Sequence, residues 1–210
     1  MQKSAIFRAI KLMLLFFFLA HISSCADEQP RLPALRPGQV IVAFGDSLTY
    51  GVGAAENDSY PAILEKLSGF RVINAGVSGD TTEKSLSRLP VVLAEYQPAL
   101  VILCIGGNDM LRRKNNDEIA ENLNELIRII QSGGASVVLI AEPEPNVLMR
   151  APEFYQTVAA KNRVPVDMTV LPKLMRSPDY KSDTIHLNKA GYEALAKGIF
   201  AFLKEQGAII

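Results

Sequence analysis

The sequence predicts an α/β fold, a three-layer α/β/α sandwich around a central, mostly parallel sheet of five strands. Short apolar runs without polar alternation recur along the chain, which is typical of strands covered on both faces. Segments with helical periodicity separate these runs, and such alternation indicates parallel βαβ units with right-handed crossovers. The composition, 49% hydrophobic and 21% charged over 210 residues, fits one globular domain.

The first 24 residues have the composition of a signal peptide. Three basic residues precede an apolar run over 12–20, which is shorter than the roughly 20 residues of a membrane span. The sequence Ile22-Ser23-Ser24-Cys25 resembles the lipobox of bacterial lipoproteins. That resemblance implies that residues 1–24 are removed and that Cys25 is lipidated. An ordinary signal peptide cleaved nearby and an uncleaved anchor are the alternatives.

The lipobox resemblance also implies a location. The chain would be held on a membrane of the bacterial cell envelope by its lipid anchor, with the domain in the periplasm. Ala26 occupies the position at which an aspartate signals retention, which favours the outer membrane over the inner one. Residues 25–38 contain three prolines among charged residues, so we expect an extended linker there. The folded domain is expected over 39–210.

Five apolar runs are the expected strands of this domain. They cover residues 40–44, 70–73, 100–105, 137–141 and, more weakly, 164–166. The clearest helix is predicted over 117–131, where apolar side chains recur on one side and Gly133-Gly134 follows. The side chains of that apolar face are Ile119, Leu123, Leu126, Ile127 and Ile130. A second helix of this kind is predicted over 189–206.

The first three strands end in polar, glycine-rich stretches. These stretches are Gly45-Asp46-Ser47, residues 74–80 and Gly106-Gly107-Asn108-Asp109. Ligands of parallel sheets bind outside the carboxyl ends of the strands, so we expect a site where these stretches meet. Ordinary turn chemistry followed by a helix N-cap is the alternative for the first stretch.

A histidine base, if the chain uses one, has to be His186. The sequence contains two histidines, and His21 lies in the expected signal peptide. Asp183 precedes His186 by three residues, a spacing that can bring its carboxylate to the Nδ1 side of the ring. A histidine at a helix end and an aspartate in a turn are the structural alternatives.

Other chemistries lack their sequence patterns. The net charge is zero, which gives no indication of a nucleic-acid partner. One histidine remains after residue 24, so we expect no metal site and no other cofactor. A G-x-S-x-G elbow, a Walker A loop and a G-x-G-x-x-G turn do not occur in the sequence. Cys104 lies within an apolar run and is expected to be a buried core residue without a disulfide partner.

Four blocks of the sequence, taken in order, resemble the SGNH hydrolases, also called the GDSL esterase family. They are FGDSLTYG at 44–51, NAGVSGDTT at 74–82, GGND at 106–109 and DTIH at 183–186. The likeness is greatest to bacterial arylesterases and multifunctional thioesterase/lysophospholipases. It implies the flavodoxin-like SGNH hydrolase fold and a serine hydrolase that cleaves acyl ester or thioester bonds. Thr184 and Leu187 depart from the common Asp-Gly-Ile-His-Pro ending.

The resemblance also implies roles for individual residues. Ser47 corresponds to the nucleophile, and its backbone N–H to one donor of the oxyanion hole. The backbone N–H of Gly79 and the side-chain amide of Asn108 correspond to the other donors. His186 corresponds to the general base and then general acid, with Asp183 orienting its ring.

The expected partners are a small acyl-ester or lipid substrate and, through the lipid anchor, a membrane; the protein is expected to be a monomer. Met110, Leu111, Val147 and Leu148 are expected to line an acyl groove, with core filling as the alternative. A carbohydrate esterase that removes acetyl groups is the rival enzyme. An inactive lipoprotein that binds a ligand or an envelope partner is the rival from another class.

Overall fold

The computed structural model describes residues 29–210, so the expected signal peptide and Cys25 lie outside the described residues. The strands are β1 Val40–Gly45, β2 Arg71–Gly76, β3 Leu100–Cys104, β4 Ser136–Ile140 and β5 Val166–Asp167. The helices are α1 Ser47–Tyr50, α2 Tyr60–Ser68, α3 Thr82–Tyr96, α4 Gly107–Leu111, α5 Asn116–Ser132, α6 Phe154–Asn162, α7 Val170–Arg176 and α8 Lys189–Glu205. Short 3₁₀ turns cover Glu56–Asp58 and Pro178–Tyr180.

The five strands form one parallel sheet in the order β2-β1-β3-β4-β5. β1 pairs with β2 on one side and with β3 on the other, so the strand order reverses at β1. The carboxyl ends of β1 and β3 lie side by side, with Gly45 paired to Cys104. Ligands of open parallel sheets bind in the crevice at such a reversal. The predicted α/β fold with a five-stranded parallel sheet is confirmed.

Helices cover both faces of the sheet and bury a core on each side. Helices α2, α7 and α8 pack on one face, and α3, α5 and α6 pack on the other. The apolar face predicted for the helix over 117–131 is buried in α5, and burying each such side chain stabilises the fold by about 1.5–3 kcal/mol. The result is the expected three-layer arrangement.

Strand β2 differs from the expectation of strands covered on both faces. Arg71 and Asn74 are exposed in it, because β2 lies at an edge of the sheet. The strand is also longer than predicted and runs to Gly76. Since β1 continues to Gly45, parallel pairing keeps β2 in the sheet up to Gly76, which lies opposite.

The end of the expected 25–38 linker lies against the domain. The side chain of Gln29 forms two hydrogen bonds with the backbone of Val166 in edge strand β5. Its Nε2 donates to the Val166 carbonyl at 3.0 Å, and its Oε1 accepts the Val166 N–H at 2.7 Å. The backbone N–H groups of Leu32 and Leu35 donate to carbonyls that follow α8, each at 2.8 Å. From Gln29 onward the expected linker is therefore part of the folded body. Backbone groups of an edge strand need partners, and this segment supplies them.

Three further properties hold for residues 29–210. The helices in this range are too short or too polar to cross a membrane. Clusters of three or more histidine, cysteine, aspartate or glutamate residues that could hold a metal ion are not found in it. Cys104 is a free, fully buried thiol, and burial raises its pKa, which suits the core role expected for it.

Candidate active site

Ser47 stands at the carboxyl end of β1 as the first residue of α1. Asp46 caps this short helix, because its Oδ1 accepts the backbone N–H of Leu48 at 3.0 Å. Gly45 is required just before it, since a Cβ there would lie 2.1 Å from the Cys104 carbonyl oxygen. This close approach of β1 to β3 brings Ser47 to the floor of a cleft.

Ser47, His186 and Asp183 form a continuous chain of hydrogen bonds. Nε2 of His186 lies 3.1 Å from Oγ of Ser47, a residue 139 positions earlier in the sequence. Nδ1 of the same ring lies 2.8 Å from Oδ2 of Asp183. A carboxylate at Nδ1 selects the tautomer that carries its proton there, which leaves Nε2 as an acceptor facing the hydroxyl. This arrangement can deprotonate a serine.

Asp183 is held by its own loop. Its Oδ1 accepts the backbone N–H groups of Ile185 and His186, each at 2.8 Å, so that Oδ2 is left for the ring. Partial burial acts to raise the pKa of Asp183, but hydrogen bonds from the His186 ring and from these two N–H groups hold that pKa below its ordinary value. Asp183 is therefore ionised at neutral pH.

The two departures from the common motif do not disturb this contact. The Thr184 side chain is exposed, and Leu187 is fully buried in the core beside α8. The loop is closed by the Ser182 N–H, which donates to the His186 carbonyl at 3.0 Å. The geometry of the Asp183–His186 pair is thus compatible with both changes.

Gly79 and Asn108 lie on the same cleft as Ser47. Gly79 has a φ of +76°, and a Cβ built on it would meet no atom within 4 Å, so its peptide borders open space. Nδ2 of Asn108 donates to Oδ2 of Asp46 at 2.8 Å. Because an amide NH₂ carries two hydrogens, Asn108 keeps a second one for an acceptor in the cleft.

A cavity of about 180 Å³ opens beside Ser47 and His186. Its polar end is formed by the catalytic candidates and the glycine-rich loops. Its remaining walls are apolar, and their side chains are Leu48, Leu111, Pro143, Pro145, Met149, Met175 and Ile185. Such a cavity can accept the apolar part of a small ligand next to the serine.

The structure separates the four residues expected to form an acyl groove. Leu111 lines the cavity, whereas Met110 is buried in the core with α5. Val147 and Leu148 face solvent with 98% and 58% of their surface exposed, so they do not line the cavity. The neighbouring Met149 lines it instead. A sequence pattern could not distinguish these positions, because the loop after β4 has no regular periodicity.

Arg88, which the sequence analysis did not single out, joins the carboxyl ends of β1 and β2 to the segment that precedes α3. Its guanidinium donates to Asp80 Oδ2 at 2.7 Å, to the Ala75 carbonyl at 2.9 Å and to the Gly45 carbonyl at 2.8 Å. It also lies 3.8 Å from the centre of the Phe44 ring. The planar fork of donors on arginine suits this role, which holds the exits of β1 and β2 together.

Two carboxyl groups of the cavity wall are almost fully buried. Asp46 is 2% exposed, and burial raises its pKa to about 7. Glu142, 1% exposed, has a pKa raised well above its ordinary value by burial and by nearby Asp46. Oε2 of Glu142 accepts the Gly107 N–H at 2.5 Å, and Oε1 lies 3.3 Å from Cys104 Sγ. Sequence reasoning missed Glu142, because it stands in a polar, proline-rich stretch that reads as an exposed loop.

Comparisons with known proteins match the part of the chain that contains this cleft. The sequence profile of the GDSL-like Lipase/Acylhydrolase family matches residues 43–194, which include all four sequence blocks. The chain is 31% identical over 182 residues to the Arylesterase of Vibrio mimicus, covering 82% of this chain and 86% of that protein. It is 30% identical over 157 residues to the Thioesterase 1/protease 1/lysophospholipase L1 of Escherichia coli K12, covering 71% and 76%. The crystal structure of TesA superposes with a TM-score of 0.72 at 28% identity, covering 80% and 99%.

Proposed function

The chain belongs to the GDSL-like lipase/acylhydrolase family, and from this premise we propose that it is a serine hydrolase that cleaves acyl ester or thioester bonds at Ser47. The single observation that carries the proposal is the hydrogen-bond chain from Ser47 through both ring nitrogens of His186 to Asp183. The related arylesterase and thioesterase/lysophospholipase support this reaction class. We also propose that the protein acts as a monomer, because the contacts among Ser47, His186 and Asp183 form within one chain.

In the proposed acylation step, Oγ of Ser47 attacks the acyl carbonyl while Nε2 of His186 takes the hydroxyl proton. Asp183 stabilises the imidazolium that forms. His186 then returns the proton to the leaving alcohol or thiol, and the acyl group stays on Ser47. Water enters, His186 accepts a proton from it, and the same steps release the carboxylic acid and restore Ser47.

The negative charge that develops on the carbonyl oxygen needs hydrogen-bond donors already in place. We propose the backbone N–H groups of Ser47 and Gly79 and the Nδ2 amide of Asn108 for this role. All three residues border the cavity, and the contact of Asn108 with Asp46 holds its amide in one orientation.

Replacing Asn108 with alanine is expected to lower kcat by about 10²–10³-fold, because one donor to the oxyanion is lost. KM should change much less, since the charge develops only in the transition state. Steady-state hydrolysis of p-nitrophenyl butyrate measures both constants. The matched control is Asn57→Ala, which removes an exposed amide that does not line the cavity. Equal kcat values for the two variants would contradict the assignment of Asn108.

We propose that the acyl chain of the substrate lies on the apolar walls of the cavity, with Leu111 and Met149 among its contacts. Leu111→Asn should therefore lower kcat/KM for p-nitrophenyl octanoate relative to acetate, by about tenfold for the loss of one apolar contact. The matched control is Leu148→Asn, a leucine on the exposed part of the neighbouring loop. An unchanged octanoate-to-acetate ratio in Leu111→Asn would count against this groove. A wild-type preference for acetate would favour the rival carbohydrate acetylesterase.

We further propose that a lipid on Cys25, outside the described residues, attaches the protein to the outer membrane with its domain in the periplasm. Gln29, four residues later, is hydrogen-bonded to β5. Strand β5 lies beside β4, and β4 leads into the loop that carries Met149 to the cavity. Four extended residues span about 14 Å, so the anchor would keep the cleft near the membrane and its lipid esters.

Cys25→Ser is expected to move the protein from the membrane fraction to the soluble fraction and to abolish incorporation of labelled palmitate. Cys104→Ser, which changes a buried thiol, is the control for the label. Labelling that survives in Cys25→Ser would overturn the lipoprotein assignment.

A further inference from the structure

Glu142 has no step in the mechanism above, although it lies on the cavity wall within hydrogen-bond reach of α4. We propose that Glu142 is a positioning residue for the oxyanion hole: its carboxyl group holds the N-terminus of α4 and thereby the Asn108 amide. The inference rests on the proposed function, because it concerns the same site.

Glu142 contacts the backbone of Gly107. This residue opens α4, and the N–H groups in the first turn of a helix have no partner within the helix. Oε2 of Glu142 supplies the partner at 2.5 Å. A Cβ on Gly107 would lie 2.2 Å from that same oxygen, so only glycine lets the carboxyl group come this close. Asn108 is the next residue along the chain.

Asn108 is held at two points. Its side-chain Nδ2 donates to Asp46 at 2.8 Å, which sets the rotation of the amide. The preceding backbone N–H donates to Glu142, which sets the position of the helix. Oε1 of Glu142 is itself in contact with Cys104 Sγ at 3.3 Å, and the side chain is 1% exposed, so the acceptor has little freedom to move.

The charge of the Glu142 carboxyl group affects the oxyanion hole. An ionised carboxylate beside the oxyanion would oppose the charge that the donors are meant to stabilise. Burial and the neighbouring Asp46 raise the pKa of Glu142, which favours the neutral form of its carboxyl group. The titratable groups around it are Asp46 after β1, Tyr60 on α2, Cys104 on β3, Asp109 on α4 and Tyr155 on α6. A neutral acceptor should therefore be able to replace it.

The test compares Glu142→Gln, which keeps a neutral acceptor, with Glu142→Ala, which removes it. Both are made in the full chain and assayed with p-nitrophenyl butyrate. Glu142→Ala is expected to lower kcat by about 10–100-fold with KM almost unchanged, somewhat less than the loss of an oxyanion donor itself. Glu142→Gln should keep kcat within about threefold of wild type and leave the pH profile of kcat in place. Glu144→Ala, which removes an exposed carboxylate two residues later, is the control.

Three results would overturn the inference. One is a kcat for Glu142→Ala equal to that of Glu144→Ala. Another is an equal loss of kcat in Glu142→Gln and Glu142→Ala. The third is a displaced pH profile in Glu142→Gln, which would mean that Glu142 acts on the site through its charge and not by holding α4. This last measurement decides the matter even if Glu142→Ala does not fold.

A second readout does not require turnover. Amide hydrogen exchange at Gly107 should be slow in the wild type and in Glu142→Gln, and faster in any folded variant that lacks the acceptor. A wild-type protein no more active than Ser47→Ala would defeat the proposed function. The exchange rate at Gly107 would still test the contact, and equal protection in folded Glu142→Ala would overturn it.

Discussion

Ser47→Ala is expected to abolish ester hydrolysis, with a loss in kcat of at least about 10⁴-fold. The substitution removes the only hydroxyl in hydrogen-bond contact with Nε2 of His186 among the described residues. The oxyanion donors and the cavity remain, so weak residual catalysis is all that they can supply. Ser47 is 8% exposed, and the change to alanine removes only its Oγ atom, so we expect the fold to tolerate it.

The measurement is the initial rate of p-nitrophenyl butyrate hydrolysis by the full chain. A fluorophosphonate probe provides a second readout, since it should form a covalent adduct with the wild type and none with Ser47→Ala. Ser132→Ala, at the exposed end of α5, is the matched control and should keep both properties. Adduct formation that persists in Ser47→Ala would place the nucleophile elsewhere. Equal inertness of the folded wild type and the variant would favour the ligand-binding lipoprotein.

Asp183→Asn is expected to lower kcat by about 10⁴-fold while leaving the fold intact. The asparagine amide can donate to Nδ1 of His186, and the ring then carries its proton on Nε2, where it faces Ser47. In that tautomer the imidazole cannot accept the serine proton. The imidazolium also loses the negative charge that stabilises it, a charge that the lowered pKa of Asp183 maintains at neutral pH.

The comparison is with Asp179→Asn, an exposed aspartate near the same loop. Initial rates across pH and a thermal melt of each variant separate a loss of catalysis from a loss of folding. The side chain of Asp183 is 52% exposed, so water competes with it for contact with the ring. A loss of less than about tenfold in Asp183→Asn would show that the carboxylate does not orient His186.

The fold class and the main residues of the cleft could be predicted from sequence patterns. Apolar runs and the 3.6-residue period are local properties, so the central strands and the buried face of α5 followed from them directly. Ser47, Asp183 and His186 could also be found in the sequence, because each lies in a short block of characteristic residue types. A single histidine after residue 24 left one choice for an imidazole base.

The contacts that support the cleft could be identified only in the folded molecule. Arg88 contacts the carbonyl of Gly45, 43 positions away, and Glu142 contacts the N–H of Gly107, 35 positions away. A local sequence pattern cannot predict contacts over such separations. The structure likewise decided that Met149 faces the cavity while Val147 faces solvent. Periodicity and residue type describe the chain near each residue. The burial of a carboxyl group and the position of a catalytic side chain depend on which distant segments lie side by side. The order of the strands in the folded sheet sets this arrangement.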